Sequence, residues 1–304
     1  MSPERYTYSL STASALPFSA EILPGRGGLK KGTEIAKLSG FEAVEAVGLK
    51  GTNAESLREI AVPVRTTHVV YNWNIPNSPF KRVIFAGERH FKKVVFRKTD
   101  LSKPTFIDIA IFPAALEAER NLLEVTKQAN VPLVVHFLDK LARFHDPEKG
   151  IFCLFEPQPC LGVNLSPDEI LAKIQEKRAG LCLDTKHIRD KPLVGKKSNL
   201  EPWPESLEKL LPHARNMHIQ PLSPQELKEM LAPYQYTTGH RQAAELTDML
   251  VLIKEVYPGE LLTFEINPLE LARVTSPRVL VDPELLVENL RRVRDFVKEA
   301  LAKV

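Results

Sequence analysis

Four residues able to bind a divalent cation close four short apolar runs of this 304-residue chain. They are Glu156 in Leu154-Phe155-Glu156-Pro157, Asp184 in Leu181-Cys182-Leu183-Asp184, His218 in Asn216-Met217-His218-Ile219, and Glu265 in Leu262-Thr263-Phe264-Glu265. Apolar runs this short, bounded by turn residues, read as buried strands, which puts each polar residue near a strand's C-terminal end. In a parallel barrel those ends share one face, and that face carries the chemistry. Such groups gathered at one mouth would repel as bare anions, and a divalent cation is the simplest neutralising partner. Three carboxylates and one imidazole suit Mn²⁺, Mg²⁺, Co²⁺ or Zn²⁺ without choosing among them.

Several histidines join this set. His187 stands three residues after Asp184 in Asp184-Thr185-Lys186-His187, at a strand-to-helix turn, where it can meet a metal or a substrate. His68, in Thr66-Thr67-His68-Val69, and His136, in Val134-Val135-His136-Phe137, also close apolar strands. They are candidates for substrate contact, the plainer reading being a hydrogen-bonded residue of core or rim. His240, in Thr238-Gly239-His240-Arg241, falls in the loop before the penultimate helix. His90, His145 and His213 sit in polar or helical settings and read as solvated.

The elements that must position these residues alternate along the chain. Strand-like runs occur at Tyr6–Leu10, Phe41–Val47, Thr66–Tyr71, Phe106–Phe112, Val131–Phe137, Ile151–Glu156, Gly180–Asp184, Asn216–Gln220 and Leu261–Ile266. Helical stretches are expected over Ala114–Ala129, after Ser166, over Glu205–His213, over Ala243–Val256 and from Asp282 onward. Ser166-Pro167-Asp168-Glu169 is an N-cap followed by proline and two acids, and Gly180 is placed to end that helix as a C′ glycine. Apolar strands alternating with helices predict a parallel sheet covered by helices, here a single (β/α)₈ TIM barrel spanning residues 1–304. A doubly wound sheet lacks support, because Gly25-Arg26-Gly27-Gly28 does not have the spacing of a phosphate-binding loop. Nine candidate strands are one too many, so either Phe106–Phe112 or part of a basic β-hairpin around residues 80–100 is an insertion. That basic segment carries Lys81, Arg82, Arg89, Lys92, Lys93, Arg97 and Lys98 against Glu88 alone, which reads as a solvated edge or as a phosphate-facing flap.

Bulk properties exclude several classes. No stretch of about 18 apolar residues suggests a membrane span, and the N-terminus lacks a basic start followed by a long apolar run. The three cysteines, Cys153, Cys160 and Cys182, form no CxxC pair and read as reduced thiols of a cytoplasmic protein. A net charge of +3 is too weak to argue for nucleic acid by itself.

The segments GFEAVEAVG (Gly40–Gly48), FEPQP (Phe155–Pro159), GLCLDTKH (Gly180–His187), MHIQP (Met217–Pro221) and LTFEINP (Leu262–Pro268) resemble, in order and spacing, the xylose isomerase-like barrel superfamily. That superfamily includes sugar isomerases and epimerases as well as endonuclease IV-type enzymes. The resemblance implies that Glu156, Asp184, His218 and Glu265 are metal ligands. It implies that Glu156 and Glu265 are the acid and base of the isomerase branch. It also implies that His187 contacts substrate there, or a second metal in the nuclease branch. The epimerase branch often has an arginine shortly after the strand-seven histidine; here none follows His218 in that reach, and Arg241 is the candidate substitute.

Three functions follow as expectations. The first is a divalent-metal-dependent isomerase or epimerase acting on a small sugar or hydroxy-carbonyl compound by proton transfer through an enediolate. The second is a zinc phosphodiesterase acting at abasic sites in DNA, favoured by His68, His136 and His187 and by the basic flap. The third is a barrel with a binding role and no catalysis. Pairing into a homodimer is left open by the sequence.

Overall fold

Eight short strands pair in chain order, every neighbour parallel, and the first closes on the last. The strands are β1 (Thr7–Ser11), β2 (Ala43–Val47), β3 (Val64–His68), β4 (Leu133–Val135), β5 (Cys153–Phe155), β6 (Gly180–Asp184), β7 (Ala214–Ile219) and β8 (Leu261–Phe264). The computed structural model describes residues 5–15, 18, 27–49, 51–69, 106–136, 138–157, 165–189, 203–232 and 241–303. Among these, the α-helices are α1 (Gly28–Leu38), α2 (Phe106–Ala129), α3 (Leu138–Phe144), α4 (Pro167–Lys177), α5 (Trp203–Leu210), α6 (Pro224–Met230), α7 (Arg241–Val256), α8 (Pro268–Val274) and α9 (Pro283–Lys303). The expected (β/α)₈ barrel is therefore the observed architecture. None of the described helices is long and apolar enough to cross a membrane.

Two expectations need correction. Phe106–Phe112 is the start of α2 rather than a strand, which removes the ninth candidate and leaves the barrel its eight. Alternating isoleucines over seven residues suit a strand, but a run that short does not distinguish the two periods; here it continues unbroken into the 24-residue helix. Gly180 does not cap α4. Arg178 takes the left-handed position at φ 54°, and Gly180 opens β6. The glycine is needed for closeness instead, since a Cβ there would lie 2.4 Å from Leu154 Cδ2. The Ser166 cap forms as read, with a full capping box to Glu169. The basic segment from Lys81 to Lys98, Cys160 and His240 lie outside the described residues, and Arg241 is the first residue of α7.

Alternation along the strands sorts the interior into two environments. One set of alternate residues, including Leu10, Val44, Val135, Phe155, Leu183, Ile219 and Phe264, belongs to one large apolar core with helix residues such as Leu122, Leu246, Leu290 and Val293. The other set faces the lumen. It contains a small apolar cluster of Val134, Leu154 and Cys182, together with buried Ser9, Ser11, Glu45, Thr66, His68, Asn216, His218 and Thr263. The main apolar core thus lies between sheet and helices, and much of the lumen is polar.

The turn after β6 is clasped to the chain after β7. Arg189 donates from Nε to the Thr185 carbonyl at 2.6 Å and grips Glu226 through two nitrogens at 2.7 and 3.1 Å. Glu226 also accepts from the Leu222 backbone N–H, and Thr185 Oγ1 exchanges hydrogen bonds with the Gln220 backbone at 3.0 and 2.9 Å. The Arg189 and Glu226 side chains are 2% and 1% exposed, so removing one partner strands a buried charge. Arg189→Ala is expected to lower stability by about 3–5 kcal/mol in urea unfolding, with the double change Arg189→Met and Glu226→Leu recovering much of it. A single variant within about 0.5 kcal/mol of wild type would show that the clasp is dispensable.

Candidate metal centre

Strand ends bring the titratable residues together. Asp184 and His218 end β6 and approach the end of β7 as direct cross-strand partners. His68 ends β3, and Glu156, His136 and Glu265 each follow the last residue of β5, β4 and β8. Glu156 and Glu265 are tied to the neighbouring strand by backbone bonds, Glu156 N–H to the Val135 carbonyl at 2.9 Å and Glu265 N–H to the Ile219 carbonyl at 3.1 Å. Glu45 lies in the middle of β2 and reaches the same place. Parallel pairing makes all of these ends point to one mouth, as the strand-end reading expected.

The contacts cross the lumen. Glu45 Oε2 is 3.0 Å from His218 Nε2, and Glu45 Oε1 is 3.1 Å from His68 Nδ1. His68 Nδ1 is also 3.1 Å from Glu265 Oε1, and its Nε2 is 2.7 Å from His136 Nε2. His218 Nδ1 faces Glu156 Oε2 at 3.0 Å and Glu265 Oε1 at 3.7 Å. His136 Nδ1 and His187 Nε2 flank the other oxygen of Glu156 at 3.6 and 4.0 Å. Asp184 is held from behind: its Oδ1 accepts from the Lys186 and His187 backbone at 2.6 and 2.9 Å.

Burial and opposite charge compete at every position. Burial works against ionised Glu45, but His218 and His68 outweigh it and hold the carboxyl well below the usual range. Burial likewise opposes Glu156, which His136 and His218 bring well below its ordinary value. For His68, burial disfavours the charge, yet Glu45 and Glu265 lift it to about 10. His218 is raised well above its ordinary value against burial, through Cys182, Glu45 and Glu156. His136 goes the other way: burial depresses it to about 3, so it is neutral. Burial raises Asp184 to about 6.

The donor set suits a divalent cation. Asp184 Oδ2 is buried without a hydrogen-bond partner among the described residues, which is expensive for a polar atom unless something coordinates it. Ligand atoms of Glu45, His68, His218 and Glu265 all lie within 4.8 Å of one another, as do those of Glu156, Asp184 and His187, and of His68, His136 and Glu156. The four residues singled out first, Glu156, Asp184, His218 and Glu265, are split between these groups. His218 links them, touching both Glu156 and Glu265.

His68 and His136 are 2% and 6% exposed and packed edge to face, inside the cluster rather than on its rim. His187 and Glu265 keep side-chain exposures of 13% and 18% and lie nearer the opening. Outside the centre, His213 is exposed as expected, whereas His145 Nδ1 accepts from the Cys153 backbone at 3.0 Å. Sequence reasoning passed over Glu45. Its signal was an acid inside the apolar run Ala43-Val44-Glu45-Ala46-Val47, where a charge is rarely buried unless paired.

No protein-family model matches the sequence, and no curated protein matches it as a relative. Among solved structures, the chain is similar to D-allulose 3-epimerase from Methylomonas sp., determined in complex with D-allulose, over 97% of each chain, with a TM-score of 0.51 and 16% identity. A probable 3-DHS dehydratase from Bacillus anthracis is matched over 91% of this chain and 99% of that one, with a TM-score of 0.39 and 12% identity. At such identities the likeness to the epimerase is one of fold. The fold that this likeness and the strand order share is the closed (β/α)₈ barrel expected from the sequence.

A pH dependence follows for the metal-free protein. The His68 imidazole is ordinarily half-charged near 6.5 and in the fold near 10, so its protonation adds stability that is complete below 6.5 and fades as pH rises towards 10. Asp184 acts lower, between its ordinary 3.8 and about 6. With chelator present, the urea midpoint should therefore fall between pH 7 and pH 10, and His68→Gln should flatten that fall. Parallel curves for the two proteins would show that His68 carries no such charge.

Proposed function

We propose that this chain is a divalent-metal-dependent isomerase or epimerase acting on a small sugar or hydroxy-carbonyl substrate. The observation that carries the reading is the meeting of Glu156 and Glu265 on His218 Nδ1, at 3.0 and 3.7 Å, at the mouth where Asp184 also ends its strand. Glu156, Asp184, His218 and Glu265 would hold the cation, and their ligand types suit Mn²⁺, Mg²⁺, Co²⁺ or Zn²⁺. When bound, it supplies Lewis acidity to a carbonyl and its neighbouring hydroxyl.

The chain's residues divide the remaining work. One carboxylate of the Glu156–Glu265 pair takes the proton from the carbon beside the carbonyl, and that C–H electron pair moves toward the carbonyl oxygen to give an enediolate. For epimerisation the other glutamate, carrying a proton when the substrate arrives, gives it to the opposite face and inverts that carbon. For isomerisation the first glutamate delivers its newly gained proton to the adjacent carbon while the hydroxyl proton passes to the former carbonyl oxygen. Glu265, the more exposed of the two, is the one a substrate meets first. His187, on the turn after β6 with its ring 4.0 Å from Glu156, would hydrogen-bond a substrate hydroxyl. His68 and His136 support from within, and His240 and Arg241 remain candidates for the mouth on sequence grounds. The D-allulose bound to the epimerase of like fold supports a sugar-like substrate here.

A second reading rests on the 2.7 Å contact between His68 and His136 beside Glu156. Extra imidazoles in that position suit additional zinc ions, and with them an endonuclease IV-type phosphodiesterase acting on abasic DNA.

The test is solvent deuterium exchange. Incubated with one added metal at a time and a panel of ketohexoses in D₂O, the wild type should introduce deuterium at the carbon beside the carbonyl. Glu156→Gln and Glu265→Gln should each slow exchange by about 10²–10⁴-fold. No exchange with any metal, combined with three zinc ions per chain by elemental mass spectrometry and cleavage of abasic DNA, would move the assignment to the second reading.

A further inference from the structure

Glu45 has no role in the reaction proposed above, yet it is wholly buried and contacts two imidazoles of the centre. Its two oxygens are divided between two imidazoles. Oε1 is 3.1 Å from His68 Nδ1; Oε2 is 3.0 Å from His218 Nε2 and accepts from the Thr66 hydroxyl at 3.0 Å. Strand pairing fixes that arrangement, because Glu45 and Thr66 are direct partners between β2 and β3, while β7 lies across the lumen.

The geometry decides what Glu45 can do. The two nitrogens of an imidazole point in diverging directions, and His218 uses them for different neighbours. Its Nε2 edge meets Glu45, while its Nδ1 edge faces Glu156 and Glu265. A cation on the Nδ1 edge would have Glu45 on the far side of the ring. Resting on the metal-dependent reading above, we propose that Glu45 is a positioning residue. It accepts the Nε2–H of His218 so that Nδ1 is presented to the cation, and with its other oxygen it orients His68 beside Glu265. A carboxylate behind a metal-binding histidine fixes the ring and strengthens it as a ligand, and loss of such a partner typically weakens metal binding about 10–100-fold.

The experiment uses the full-length chain and Zn²⁺ alone. In wild-type protein with ¹⁵N-labelled histidine, Zn²⁺ loading should leave His218 Nε2 protonated and shift Nδ1 to a ligated position, with His218→Gln supplying the assignment. In chelator-competition titrations Glu45→Gln should bind Zn²⁺ about 10–100-fold more weakly, and Thr66→Val by a smaller factor in the same direction. Ligation through Nε2 would make Glu45 a neighbour of the ion itself and overturn the proposal. So would wild-type affinity in Glu45→Gln. If Glu45→Gln fails to fold, the wild-type spectrum decides alone. Failure of wild-type protein to bind Zn²⁺, Mn²⁺ or Co²⁺ would instead remove the metal-dependent reading itself, and this proposal with it.

Discussion

Like charges gathered out of water are the constraint around which this barrel is organised. Glu45, Glu156 and Asp184 are almost wholly buried, and Glu265 is close to them. Left alone, such carboxylates would repel one another and each would lose its hydration. Imidazoles interleaved between them answer both problems. His218 stands between Glu45 and Glu156, and His68 between Glu45 and Glu265. Apart from Glu45 with His68 on the paired strands β2 and β3, these links join strands that are not neighbours in the sheet, so they depend on the barrel closing. The clasp of Arg189 on Glu226 extends the same logic outward, steadying the turn from which Asp184 and His187 are presented.

Much of this was legible in the sequence, for identifiable reasons. A residue that can bind a metal at the end of an apolar strand is conspicuous against its neighbours, and parallel pairing converts that position into convergence. This holds for Glu156, Asp184, His218 and Glu265, and for the histidines at 68, 136 and 187. Glu45 was less visible because it sits inside its strand, where the partners that justify its burial belong to β3 and β7 and are distant in the chain. The opening of α2 was misread because seven residues of alternating isoleucine fit either period, and only the continuous helix beyond decides. Gly180 shows a third limit. A glycine after a helix suggests a cap, whereas here the left-handed turn falls to Arg178 and the glycine answers to Leu154 on the neighbouring strand. That contact has no local signature.

The fold and the site carry different kinds of information. A similar barrel at 16% identity fixes how the strands are arranged, and a barrel of this kind hosts many chemistries. What distinguishes this chain is the pattern of charge inside it. Cations and anions alternate across the lumen while burial keeps His136 neutral among them. Neutral His136 retains a lone pair, whereas protonated His68 and His218 must release a proton before either can donate to a metal.

The separation of the two interiors has a functional implication. The sheet-to-helix layer, built from residues such as Val44, Val135, Leu183, Ile219 and Phe264, anchors the barrel through apolar packing. Among the described residues the lumen holds a small apolar cluster and many polar side chains. Neighbouring positions on one strand therefore answer to different physical demands, alternate residues serving the packing and the lumen. Lumen residues can be exchanged, and with them the chemistry of the mouth, without removing the apolar packing that holds the barrel. The alternation of a strand becomes a division of labour on which new activities can be tried without dismantling the fold that hosts them.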